Sequence, residues 1–169
     1  ERGVGGGPAG EGLFNAPQAV AWGSDGEVYV ADSGNARLRR IKDGQVTTVA
    51  GTGSFGGKDG PLETGTLQYP MDLSIDSKGG VLIADGGTGL IRRYAPQSGL
   101  TSPWSGIEID MPHGLAAAPD GAVVVAEMYA HRIVLLTRDN EIIRLCGTGE
   151  PGIAQDQLHK PAAVLIHSG

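Results

Sequence analysis

Apolar residues run along this chain in short bursts of four to six, and each burst ends in a cluster of glycine, aspartate, serine or asparagine. The clearest set is Pro17 to Gly53, PQAVAWGSDGEVYVADSGNARLRRIKDGQVTTVAGTG. Ala19 to Trp22 is a small apolar run, and the Asp25-Gly26 pair behind it suits the positive φ angles of a tight hairpin. Val28 to Ala31 is β-branched and aromatic with no helical spacing, which predicts a second strand. Asp32-Ser33-Gly34-Asn35 is another turn cluster, and strands follow over Arg37 to Ile41 and Val46 to Ala50, divided by Lys42-Asp43-Gly44. Four strands joined by three turns make one antiparallel meander.

The unit returns. Pro17, Pro70, Pro112 and Pro161 open successive copies, and Asp32, Asp85 and Glu127 stand at one common distance after the first three. Second strands are predicted at Val28 to Ala31, Val81 to Ala84 and Val123 to Ala126, and third strands at Arg37 to Ile41, Leu90 to Tyr94 and Arg132 to Leu136. Fourth strands are predicted at Val46 to Ala50, Thr101 to Trp104 and Ile142 to Cys146. The units are therefore expected at residues 17–53, 70–106 and 112–149, with the first strand of a further unit in 161–169. A period of about 40 to 50 residues carrying four strands is the signature of a propeller blade.

The opening proline, the Val-Tyr-Val-Ala-Asp strand end, Asn35-x-Arg37-Leu38-Arg39, the Ala50-Gly51-Thr52-Gly53 ending and Asp59-Gly60-Pro61 together resemble the NHL repeat. The resemblance implies an all-β fold: an NHL-type β-propeller of four-stranded antiparallel blades, here a partial ring, with six blades when complete. Thr88 and Leu90 replace Asn35 and Arg37 in the second copy, and Ala130 replaces the asparagine in the third. Three copies and one first strand fall short of the ~4 to 8 blades that close a ring. The expectation is a piece of a longer polypeptide whose remaining blades cover the end faces. Two copies pairing into a six-bladed homodimer ring is the alternative.

Composition fits this class and narrows the partners. The 29 glycines suit short strands and many turns. No stretch approaches the ~20 apolar residues of a membrane span, so a soluble protein without membrane insertion is expected, its compartment left open. The single cysteine, Cys146, excludes an internal disulfide framework and is expected to pack in its fourth strand. Some NHL propellers bind RNA on a basic face, but here 13 basic residues stand against 19 acidic ones, net −6, which disfavours RNA.

Candidate chemistry gathers at one rim. First and second strands run antiparallel, so the start of one and the end of the other share a face with the connections between blades. Loops on a rigid scaffold are where recognition residues concentrate, and Gln18, Asp32, Met71, Asp85, His113 and Glu127 are the expected binding face. The acids read as turn formers, each bonded to the backbone of its own turn, with an oxygen ring for a divalent ion as the alternative. Gly51-Thr-Gly53-Ser-Phe-Gly56 matches a dinucleotide fingerprint literally, yet it precedes turn residues and a proline-led strand, not the helix that a phosphate needs.

His113 follows its proline where the other copies have Gln18, Met71 and Ala162. Histidine beside Glu127 suits metal binding or shared acid and base work. Lyases and lactonases on related six-bladed propellers hold a metal in the channel, and His113 and Glu127 are similar to two members of such a set. Three protein ligands are typical of a catalytic zinc site, and the matching positions offer no second histidine. The expected function is thus a non-catalytic protein-recognition or scaffold module working through the loop face, with no cofactor. The alternative is a metal-dependent, lactonase-like lyase or hydrolase with a divalent ion in the channel.

Overall fold

The computed structural model describes residues 5–11 and 13–167. Three antiparallel sheets stand side by side in an arrangement that does not close. The first contains β1 (Gly7–Pro8), β2 (Pro17–Trp22), β3 (Val28–Asp32), β4 (Arg37–Lys42) and β5 (Gln45–Ala50), in the order β1-β5-β4-β3-β2. The second is β6 (Pro70–Ile75), β7 (Val81–Asp85), β8 (Leu90–Ala95) and β9 (Gly99–Thr101). The third is β10 (Pro112–Ala117), β11 (Val123–Glu127), β12 (Arg132–Leu136) and β13 (Ile142–Cys146). The first strands are neighbours, β2 against β6 and β6 against β10, which places them on the inner side of the array.

Strand alternation explains how the middle sheet is buried on both faces. Along β7, Val81 and Ile83 enter the core shared with the first sheet, while Leu82 and Ala84 enter the core shared with the third. On the end sheets one face lacks a neighbour. Val20 and Trp22 on β2 are 69% and 71% exposed, and Ile142, Ile143 and Leu145 on β13 are also exposed. Cys146 shares that fate: it is exposed, because no further sheet covers β13, and the packed cysteine expected from the sequence is corrected on this point.

The repeat is also written in the backbone. Ala16, Tyr69, Met111 and Lys160, each just before an opening proline, all take positive φ, between 46° and 55°. Ala36, Gly89 and His131, each just before a third strand, also take positive φ, between 50° and 68°. Gly51, at φ 84°, closes the first unit where an added Cβ would fall on the Ala36 carbonyl.

Two strand expectations are corrected. The second sheet's last strand is Gly99–Thr101, not Thr101 to Trp104. Leu100 pairs with Tyr94 as Val46 pairs with Ile41, so Pro103 and Trp104 fall where the first sheet has Val49 and Ala50. Proline has no N–H for the ladder, and an indole does not fit a site where Ala50 is 1% exposed. The chain leaves the sheet early, and the Trp104 Nε1–H donates to the Thr137 carbonyl of the next sheet at 2.9 Å.

The second correction concerns the first strand expected within 161–169. Residues 161–167 form no ladder with any described residue, and 168–169 lie outside the described residues. The segment still packs on β10, where a Cβ on Gly114 would strike the Ala162 carbonyl and the Ala163 backbone.

Candidate functional site

The rim carboxylates are latches. Asp32, at the end of β3, accepts from the backbone N–H of Asn15 at 2.8 Å. Asp85, at the end of β7, accepts from Gln68 N–H at 2.7 Å, and Glu127, at the end of β11, from Asp110 N–H at 3.0 Å. Each bond spans 17 residues and seizes the connection two places before the opening proline. The second carboxylate oxygen is used as well. Asp32 accepts from Asn35 Nδ2 at 2.9 Å and pairs with Arg39 at 3.3 Å. Asp85 accepts from the Thr88 hydroxyl at 2.8 Å and pairs with Arg92 at 3.4 Å. Glu127 is paired with the Arg132 guanidinium.

Arg39 and Arg92 are fully buried, and they also hold the incoming chain as a strap. Arg39 donates to the Gly5 carbonyl at 2.8 Å. Arg92 donates to the Thr66 and Lys58 carbonyls at 2.9 and 3.0 Å and pairs with Asp59 at 2.7 Å. Burial outweighs these donors at Asp85, whose carboxyl is pushed up to about 6. Sequence reasoning placed the acids at the rim; the arginines and strap carbonyls that use them needed the fold.

His113 and Glu127 are not brought together as a ligand pair. His113 sits at a bulge opposite the Pro112–Glu127 pairing, and its Nδ1 lies 2.9 Å from the Ala162 carbonyl. A carbonyl only accepts, so Nδ1 carries the proton there and Nε2 keeps its lone pair in the neutral ring. The charged neighbour of His113 is Asp72, which the sequence reading missed. Its carboxylate accepts from Leu115 N–H at 2.8 Å across the gap between first strands, and burial raises its pKa against those amide bonds and His113. An aspartate facing inward from β6, where the other copies have Ala19 and Gly114, was the available signal. Among the described residues, no group of three or more His, Cys, Asp or Glu side chains is placed to hold a metal.

The rest of the rim is apolar and open. Phe55 and Tyr69 stack with ring centroids 4.9 Å apart and remain 54% and 45% exposed. Tyr129, in the turn after β11, is 55% exposed under the Lys160 ammonium. Arg37 closes the first sheet's corner by donating to the Asn35 and Thr52 carbonyls. Leu90 replaces it in the second, and a hollow of about 420 Å³ opens there, reached by Glu108, Asp110 and Arg132.

Residues 14–41, which hold the first latch, match the NHL repeat. The match makes this stretch one NHL repeat. The chain is 35% identical over 82 residues to Protein SUPPRESSOR OF QUENCHING 1, chloroplastic, of Arabidopsis thaliana, a match covering 47% of this chain and 8% of that protein. A streptogramin B lyase structure superposes with TM-score 0.58 at 18% identity, covering 79% of this chain and 42% of that one. A nidogen/laminin complex superposes with TM-score 0.62 at 18% identity, covering 87% and 51%. The chain thus spans a small part of that relative and about half of these structures. At such identities the structures share the propeller-like build of antiparallel four-stranded sheets.

Proposed function

We propose that this NHL segment is a protein-recognition module whose loop face, around Gln18, Met71 and the exposed aromatic residues, meets another protein, while its two uncovered sheets dock further blades. The observation that carries this reading is the division of labour at the rim. Asp32, Asp85 and Glu127 are consumed in holding the connections, whereas Phe55, Tyr69 and Tyr129 stand in solvent on that rigid frame. Exposed aromatic residues on fixed loops are the usual anchors of protein interfaces. The nidogen/laminin neighbour, a propeller-like protein in a complex, is compatible with such a use.

The second reading, a metal-dependent lyase or hydrolase, draws on His113. With Nδ1 bonded to Ala162 and Asp72 nearby, its Nε2 has the lone pair that a divalent ion would take. Residues from further blades would have to complete that site.

Native mass spectrometry on protein purified from its natural source, with metal content read from the same sample, separates the two. A metal-free complex with a protein, dispersed by Phe55→Ala with Tyr69→Ala, supports recognition. A stoichiometric divalent ion that is lost on His113→Ala overturns it in favour of the enzyme.

A further inference from the structure

The face opposite the loop rim carries a larger cavity, of about 510 Å³, between the second and third sheets. It lies at the β6–β7 and β10–β11 turns, far along the strands from the latches. Its origin can be read position by position. The first sheet has Gly23 and Glu27 at the two ends of its turn, and Glu27 fills the space there, 8% exposed, with Lys42 3.9 Å away. The second sheet has the pair reversed, as Asp76 and Gly80, and the third has Ala118 and Ala122. Gly80 leaves room for the Arg93 guanidinium, whose terminal nitrogen lies where a Cβ would project. The early end of β9 adds the Trp104 indole as a wall, fixed by its bond to Thr137.

The charges around this cavity are unequal in their freedom. Asp76 is fully engaged: it accepts from Lys78 N–H at 2.8 Å, Gly80 N–H at 2.9 Å and Arg93 Nε at 2.5 Å. These donors hold its carboxyl below the usual range although burial opposes them. Asp120 accepts from Ala122 N–H at 3.0 Å. The cations keep their donors. The two terminal nitrogens of Arg93, the Arg138 guanidinium and the Lys78 ammonium have no acceptor among the described residues, yet all three side chains line the cavity. Leu82, Pro103, Ala117, Pro119 and Ala122 give the lining an apolar part, beside the polar Ser77. On a chain of net charge −6, two cations without an acid partner, Lys78 and Arg138, stand beside an indole and next to Arg93, whose charge Asp76 meets through Nε alone.

We propose that this cleft binds a small organic acid, a flat ring bearing a carboxylate. The ring lies against Trp104 and the apolar wall, and the carboxylate sits between Arg93, Lys78 and Arg138. A guanidinium fork matches a carboxylate in two parallel hydrogen bonds, and the volume falls within the ~300 to 1,000 Å³ of ligand pockets. The site is independent of the recognition surface on the other face.

The test uses benzoate as the probe, followed by the two indole N–H signals in ¹⁵N NMR spectra of the intact chain, assigned with Trp22→Phe. Benzoate is expected to shift the Trp104 signal saturably and leave Trp22 unmoved. Arg138→Glu, at an exposed side chain with no partner to lose, should weaken binding about tenfold or more, by loss and reversal of one charge. Its unchanged spectrum elsewhere shows that the fold is intact. Phenyl phosphate binding as well as benzoate supports the shared ring-plus-anion chemistry. Benzamide binding equally well, acetate or inorganic phosphate binding equally well, or an unmoved Trp104 signal would each overturn the proposal.

Discussion

The first two sheets and the third solve one problem differently. In all three a carboxylate at the end of the second strand seizes the connection arriving from the previous unit. In the first two, the cation is a fully buried arginine, Arg39 or Arg92, standing in register with Val30 or Ile83. In the third, Val134 occupies that register, the acid is a glutamate, and its partner Arg132 lies at the edge, 36% exposed. The connection explains the change. Residues 51–69 arrive as a long strap with carbonyls to offer, whereas 106–111 are too few to form one. A buried guanidinium with nothing to donate to is costly, and valine is what remains. Strap length and core residue are therefore one choice.

The largest test removes the buried cation. Arg92→Ala should cost about 3 to 5 kcal/mol in chemical denaturation, because the buried Asp85 loses its cation and the Thr66 and Lys58 carbonyls lose their donor. Arg132→Ala should cost about 1 to 2 kcal/mol, since Glu127 keeps its amide bond and an edge that water can reach. Equal losses would end the distinction between the two kinds of latch. Grafting is the converse: Val134→Arg should cost about 3 kcal/mol or more, and adding Glu127→Asp should not rescue it, as no strap carbonyls await the new side chain.

A pH titration sharpens the contrast without touching Arg92. The Asp85 carboxyl has its folded pKa raised to about 6 by burial, so its protonated form is favoured in the folded state. The stability it contributes is fully present below its unfolded pKa, about 4, and is lost as pH rises through 6, up to about 3 kcal/mol. Asp85→Asn should flatten that slope in denaturation curves taken from pH 4 to 7. The smallest effect concerns the strap itself. Asp59, half exposed, pairs with Arg92 and accepts from Ser102, so Asp59→Ala should cost about 1 kcal/mol or less. The first sheet, with Gly6 at the matching place, works without this acid.

Much of this was legible in the chain. Period-two runs and turn clusters placed the second and third strands within a residue or so, because strand alternation and turn chemistry are local. The end of β9 was misplaced because Pro103 and Trp104 were read as strand residues, although a proline cannot donate to a ladder. The rim acids were read as bonded to the backbone of their own turns, whereas the backbone N–H that each accepts belongs to the connection 17 residues earlier, and the burial of Arg39 and Arg92 went unread. Their burial depends on carbonyls 26 to 34 residues away, which no local pattern reveals. Asp72 and the cleft around Trp104 escaped for the same reason, since each is made by two sheets.

The middle sheet is packed against a neighbour on each face, whereas each outer sheet has one bare side. Repeat arrays behave as one-dimensional chains of coupled units, so disorder should enter from the ends and travel inward. Amide hydrogens on β7 and β8 should then be the last to exchange with solvent, and those on β13 among the first. Any added unit that seats on β13 would protect it by contact alone, lengthening the cooperative block instead of creating a new one.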